Sequence, residues 1–272
     1  MGNATHSVAF RVLGPLEVVV DGRAVALGSP KVRRLLAAFL VDANSVVSTD
    51  RLVDALWGER PPVSALSALQ KLVHRLRSLV RSADYPEADL LLTRAPGYVL
   101  RVEPGCYDAA QFEDLVVYAQ HDAQRGDLDA ALASLDEALA LWRGPAFAEF
   151  ASDEFARAEA TRLEELRVEA VEEHVEAKLR LGRHDEVTGE LDALVTEYPY
   201  RERLWGQLML ALYRSGRQAD ALRAYSHVRM QLVEELGIEP GAALRNLEAS
   251  ILLQNPELDW VPAAPKIGRA HV

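Results

Sequence analysis

A single cysteine, Cys106, stands in the 272 residues, so neither an internal disulfide nor a multi-thiolate zinc site can form. Aromatics are sparse at 7%, and no uninterrupted apolar run approaches the roughly 18 residues of a membrane span. Residues 1–7 are polar and show no cleavage-site pattern, so no secretory leader is expected there. The sequence marks of catalysis are missing too: no phosphate-binding glycine loop with its lysine, no dinucleotide fingerprint, no His-Glu-x-x-His and no nucleophile elbow. The seven histidines (His6, His74, His121, His174, His184, His227 and His271) never pair at i+3 or i+4. His174, beside Glu172 and Glu173, reads as a solvated residue on an acidic helix. These absences argue against an enzyme, a cofactor or a metal, and lead to the expectation of a soluble cytoplasmic protein.

What is present supports a folded chain, with 49% hydrophobic and 26% charged residues. The net charge of −11 argues, taken whole, against a nucleic-acid partner. Its distribution argues otherwise. Residues 1–105 hold 13 Lys+Arg against 10 Asp+Glu, a net +3, while the remainder holds 17 against 31, a net −14. The text also changes character near Pro104-Gly105, from mixed strand and helix signals to almost continuous helix.

Residues 8–27 are β-rich and broken by Gly14-Pro15 and by Asp21-Gly22. An Asp-Gly pair between β-branched runs predicts a hairpin, because both turn positions need positive φ. Three helical patterns follow. The first covers residues 31–41 behind Ser29-Pro30, and the second begins at a cap on Thr49 or Asp50 and stops at Gly58. The third runs from about Ser64 to Val80 after the break at Pro61-Pro62. Residues 90–93 and 98–101 then flank Arg94-Ala95-Pro96-Gly97 as a second hairpin. Three helices followed by a hairpin is the layout of a winged helix.

On a helical wheel the third helix places Leu66, Leu69, Val73, Leu76 and Val80 on one side. Ser64, Ser67, Lys71, His74, Arg75 and Ser78 fall on the other, with Arg77 near the boundary. That face offers hydroxyls, then basic or imidazole groups, and no carboxylate, which suits a helix reading the major groove. Arg77 is placed for the backbone at the groove's rim, and Arg94 at the hairpin tip for phosphate or the minor groove. Lys31, Arg33 and Arg34 open the first helix and suit either DNA contact or solubility.

In the second part, aligning Gly182 with Gly216 gives an offset of 34, the tetratricopeptide period. Trp205, Leu208, Leu212, Ala221 and Tyr225 then fall on the interlocking positions, Pro199 on the closing proline, and a looser copy surrounds Gly126. Trp142, Trp205 and Tyr225 read as packing residues. Residues 153–181 read as a long acidic helix serving as a spacer.

The order and spacing of several short motifs resemble the Streptomyces antibiotic regulatory protein family. They include Leu13-Gly14-Pro15-Leu16-Glu17-Val18, Ala43-Asn44, Val47-Ser48-Thr49-Asp50-Arg51-Leu52 and Ala55-Leu56-Trp57-Gly58. Leu69-Gln70, Val73-His74-Arg75-Leu76-Arg77 and Thr93-Arg94-Ala95-Pro96-Gly97-Tyr98 continue the series. Leu141-Trp142-Arg143-Gly144-Pro145-Ala146, Ala211-Leu212-Tyr213-Arg214-Ser215-Gly216-Arg217 and Glu235-Leu236-Gly237-Ile238-Glu239-Pro240-Gly241 complete it. The resemblance implies an α+β winged helix-turn-helix of OmpR type over residues 1–105. An all-α, tetratricopeptide-like bacterial transcriptional activation domain would follow over 106–254.

It further implies an activator of an antibiotic biosynthetic gene cluster. Such an activator binds direct repeats in double-stranded DNA as a homodimer and recruits RNA polymerase with its sigma factor, without a membrane. Lys71, His74 and Val32 depart from the residues common at those places in the family, which leaves the target sequence open. The competing reading is a protein–protein adaptor whose winged helix has lost DNA. Residues 255–272 read as a flexible tail. Its last six match one frame of a common sequencing adapter and are expected not to belong to the natural protein.

Overall fold

The computed structural model describes residues 8–80, 90–103 and 105–261. Pro104, at the expected boundary, and residues 262–272 of the expected tail lie outside them. The described residues form two compact units, one within 1–118 and 136–169, the other within 119–135 and 170–272.

The first unit opens with three antiparallel strands, β1 (Val8–Arg11), β2 (Glu17–Val20) and β3 (Arg23–Ala24). Asp21 and Gly22, with φ of 51° and 75°, make the predicted tight turn between β2 and β3. Helix α1 (Pro30–Val41) starts with proline at its first position and buries Val32, Leu35, Leu36, Phe39 and Leu40. Strand β4 (Val47–Ser48) leads into α2 (Thr49–Trp57). The cap of α2 is Ser48, one residue earlier than expected, whose hydroxyl accepts from the Arg51 amide.

Helix α3 (Ala65–Leu79) is followed by the hairpin of β5 (Leu91–Arg94) and β6 (Gly97–Leu100), with β6 between β4 and β5. A side chain at Gly97 would place its Cβ 1.9 Å from the Val47 carbonyl oxygen, so only glycine lets β4 pair there. Asn44, at φ 64° in the turn after α1, ties that turn to the irregular segment after β6. Its side chain accepts from the Val102 amide at 2.8 Å and donates to the Val102 carbonyl at 3.1 Å.

The same unit contains the first part of α4 (Asp108–Gln124), the end of α5 (Leu128–Ala140) and the first part of α6 (Glu154–Arg180). Residues 143–147 run alongside Val12 and Leu13, the two residues that follow β1, with Leu13 and Ala146 forming an isolated antiparallel bridge. The Arg143 amide donates to the Leu13 carbonyl at 2.8 Å and the Phe147 amide to Val12 at 2.7 Å. The backbone carbonyls of those two residues are thereby paired. Asp108, 5% exposed, accepts from the Val12 amide at 2.8 Å and the Leu13 amide at 3.0 Å, and pairs with Arg143 at 3.3 Å. Trp142 packs edge-on against Phe112, with centroids 5.3 Å apart, beneath the Arg167 guanidinium.

The charges opening α1 are committed within this unit. Lys31 donates to the Leu56 carbonyl and lies over Trp57. Arg33 Nε donates to Glu149 at 2.7 Å, and Arg34 pairs with Asp153 at 2.9 Å. The hydrogen bond from Arg33 holds the Glu149 carboxyl below the usual carboxylate range. Because the folded value is depressed, this stabilisation is complete above the unfolded carboxylate pKa and is lost as pH falls through the folded one. Denaturant midpoints of the wild type and Glu149→Gln should therefore differ at about pH 6 and converge as the pH falls through the lowered Glu149 pKa. A gap that does not change with pH would show that the ionisation of Glu149 adds no stability.

In the second unit α7 (His184–Glu197), α8 (Glu202–Arg214), α9 (Gln218–Gln231) and α10 (Ala242–Leu252) pack in sequence, with a π-helical turn at Leu232–Leu236. Gly182 and Gly216, at φ 79° and 74°, end helices at the predicted 34-residue spacing. Trp205 and Tyr225 are buried in the shared core. The Trp205 indole donates to the Pro199 carbonyl at 2.9 Å, giving the closing proline a partner.

Two expectations are corrected here. His174 is buried at 5% exposure rather than solvated, because its stretch of α6 packs in the core. Glu172, also buried, takes Arg203 at 3.5 Å, and its carbonyl accepts from Gln207. Nor is α6 a spacer, since Ala156, Ala160 and Leu163 are buried in one unit and Val175 and Leu179 in the other. The stretch read as tail from 255 is partly anchored: Trp260 donates to the Arg180 carbonyl and lies where a Cβ on Gly182 would stand.

Candidate nucleic-acid interface

Helix α3 follows Pro61-Pro62, which cannot continue a helix, and is built from good helix formers. The Ala65 amide donates to the Pro62 carbonyl at 2.9 Å and the Ala68 amide to Ser64 at 2.9 Å. Ser64 occupies the cap, but its hydroxyl makes no capping bond. Leu69, Val73 and Leu76 are buried and set the rotation of the helix.

That rotation exposes Ser64, Ser67, Lys71, His74, Arg75 and Ser78. Ser67, Lys71 and Arg75 lie in one row along the axis, one turn apart. The Arg75 guanidinium fits beside Gly28, where an added Cβ would come within 2.8 Å of it. Ser78 donates its hydroxyl to the His74 carbonyl at 3.1 Å, a bond within the helix.

Arg77 is half-buried and engaged with the hairpin. Its Nε donates to the Leu91 carbonyl at 2.8 Å and its terminal nitrogen to the Thr93 hydroxyl at 2.9 Å, with the Tyr98 ring 6.0 Å away. In this arrangement it locks the wing to α3. Arg94 is exposed at the end of β5, opposite Gly97 across the two-residue turn. The turn itself is held by Thr49, whose amide and hydroxyl both donate to the Pro96 carbonyl, at 3.2 and 2.8 Å.

Two members of the exposed face were not picked out from the sequence. Gln70 is exposed between Ser67 and His74, a position the wheel shows but a search for charge passes over. Leu66, expected to pack inward, is 58% exposed, because burial on α3 begins only at Leu69. Among the described residues no group of three or more His, Cys, Asp or Glu side chains is arranged to hold a metal ion. No described helix is long and apolar enough to cross a membrane.

Residues 22–100 match the family described as transcriptional regulatory protein, C terminal, and residues 107–252 match the bacterial transcriptional activator domain. The chain is 39% identical over 270 residues to the regulatory protein DnrI of Streptomyces peucetius, covering 96% of this chain and 99% of that one. It is 38% identical to the transcriptional regulator RedD of Streptomyces coelicolor, over 94% of this chain and 73% of that one. Mycobacterium tuberculosis EmbR, solved in complex with a low affinity phosphopeptide, matches with a TM-score of 0.87 at 38% identity. That match covers 92% of this chain but 66% of the EmbR chain, just under two thirds of its length. These domains and relatives are those of transcriptional regulators, not of enzymes.

Proposed function

Since the chain belongs to the Streptomyces antibiotic regulatory protein family of transcriptional regulators, we propose that it is a sequence-specific, DNA-binding activator of an antibiotic biosynthetic gene cluster. It works in the cytoplasm, binds direct repeats upstream of its promoters with two protomers side by side, and recruits RNA polymerase with its sigma factor. Residues 1–105 carry the DNA-reading function and 106–254 the activating one. The observation that carries this reading is the exposed face of α3, with Lys71 and Arg75 one turn apart and no carboxylate among its residues. A cationic helix face free of acids supplies phosphate contacts and base-edge donors together.

Ser64, Ser67, Lys71, His74 and Arg75 approach the groove, and Arg94 takes phosphate from the wing. Arg77 supports that geometry from behind, through the hairpin. With a net charge of only +3 over residues 1–105, a single protomer holds DNA weakly, so binding to a repeated site is cooperative. Gel shifts with duplexes from upstream of neighbouring biosynthetic genes test this. The expected result is a steep isotherm on a two-repeat duplex, a much weaker one on a single repeat, and weakening with added salt. Tight, non-cooperative binding to one repeat would remove the side-by-side arrangement. No salt-dependent binding to any upstream duplex would favour the adaptor reading.

A further inference from the structure

The exposed face of α3 consists of two parallel rows. Ser67, Lys71 and Arg75 form the cationic one; Leu66, Gln70, His74 and Ser78 form the other, each at steps of four residues. Leu66 is the one exposed large apolar side chain on α3. A lone exposed leucine is ordinary on a protein surface. This one stands at the head of a polar stripe, in the first turns of the helix, where a reading helix meets base edges. No hydrogen bond within the described residues engages the Gln70 side chain. Being neutral, it gains little from a phosphate, whereas its amide carries a donor and an acceptor side by side.

We infer that Leu66 and Gln70 are specificity-determining residues: Gln70 takes the major-groove edge of an adenine, and Leu66 packs on the 5-methyl group of a thymine one or two base pairs away. The inference rests on the DNA-reading role of α3 proposed above. The chemistry follows from the base code. Adenine offers the N7 acceptor and N6 donor that a carboxamide matches with two hydrogen bonds, and thymine offers the one methyl group in the groove. The spacing follows from the helix. Residues four apart rise about 6 Å, and successive base pairs rise about 3.4 Å, so the two side chains meet neighbouring or next-neighbouring pairs. Lys71 and Arg75, in the adjoining row, are then turned towards the strand's phosphates, and the neutral row faces the floor of the groove. Ser78 closes that row with its hydroxyl already bonded inside the helix.

The test is selection from a randomised duplex library with the full chain. Affinities are then measured for the recovered site and two analogues of it. One analogue replaces the proposed thymine by deoxyuridine, which removes the methyl alone. The other replaces the adenine by its 7-deaza form, which removes the N7 acceptor. Deoxyuridine should weaken wild-type binding about fourfold and leave Leu66→Ala unaffected. The 7-deaza base should weaken the wild type roughly tenfold and leave Gln70→Ala unaffected. Lys71→Ala should bind every duplex less well yet keep both analogue penalties. Circular dichroism of each variant separates these results from misfolding, which the exposed positions do not predict. Equal penalties in the wild type and the matched variant would overturn the inference while leaving DNA reading intact, as would a recovered site lacking an adenine and thymine at that spacing. Failure of the wild type to select any sequence would remove the functional proposal and this inference together.

Discussion

Replacing Asp108 by alanine is expected to lower the stability of the first unit by about 3–5 kcal/mol, the largest single effect anticipated in the molecule. The carboxylate is buried and accepts from the amides of Val12 and Leu13, both 0% exposed. Without it two interior N–H groups lose their acceptor, each costing roughly 1–3 kcal/mol, and Arg143 loses a partner at 3.3 Å. Burial raises the carboxyl's pKa more than the amides and Arg143 lower it, so the site is held together at some electrostatic cost. The thermal transition should fall by roughly 10 °C, read by circular dichroism. Asp108→Asn should fall between the two, because one oxygen still accepts while the new amide faces donors. A change below about 1 kcal/mol in the alanine variant would mean that the backbone finds other partners.

The second large effect is on DNA. The double substitution Lys71→Ala with Arg75→Ala should weaken binding to a selected duplex by about a hundredfold. The salt series separates the two roles a cation can take. If both contact phosphate, the slope of log affinity against log salt loses about 0.9 for each residue, and all sequences suffer alike. If Arg75 instead grips a guanine with two hydrogen bonds, its single variant loses about 1–3 kcal/mol and tolerates other bases at one position. Neither residue is held by an ion pair among the described residues, so the loss falls on binding and not on folding. Arg77→Ala should behave differently, loosening the hairpin and melting earlier, because its donors are already taken by Leu91 and Thr93. Unchanged affinity and an unchanged slope in the double variant would end the activator reading.

The parts of the fold legible from sequence are those decided by local chemistry. Asp21-Gly22 specified its own turn through positive φ, and Pro30 marked the start of α1. Gly182 and Gly216 marked helix ends because the left-handed conformation there excludes most side chains. What escaped depends on distant partners. Arg33 finds Glu149 across 116 residues and Arg34 finds Asp153 across 119, and no periodicity announces such pairs. His174 looked solvated because its sequence neighbours are acidic, yet burial is decided by the helices packed against it. Leu66 failed for a related reason. Helical period says which side of α3 faces inward but not how far along its axis the neighbouring elements reach. The candidate site was legible as a face and not as a set of free hands, since Arg77 and Ser78 share its sequence pattern but already have partners.

The pairing of residues 143–147 with Val12 and Leu13 bears on how such proteins can be recombined. A sequence-matching boundary near residue 100 suggests a reading head that can be exchanged between relatives as a cassette. Here the cassette is discontinuous: Val12 and Leu13, just past β1, leave their backbone groups to partners at Asp108, Arg143 and Phe147, and Arg33 and Arg34 leave their charges to Glu149 and Asp153. A chimera that retargets the protein by swapping the winged helix must carry those later residues with it, or inherit a seam of unmatched backbone groups and unpaired arginines.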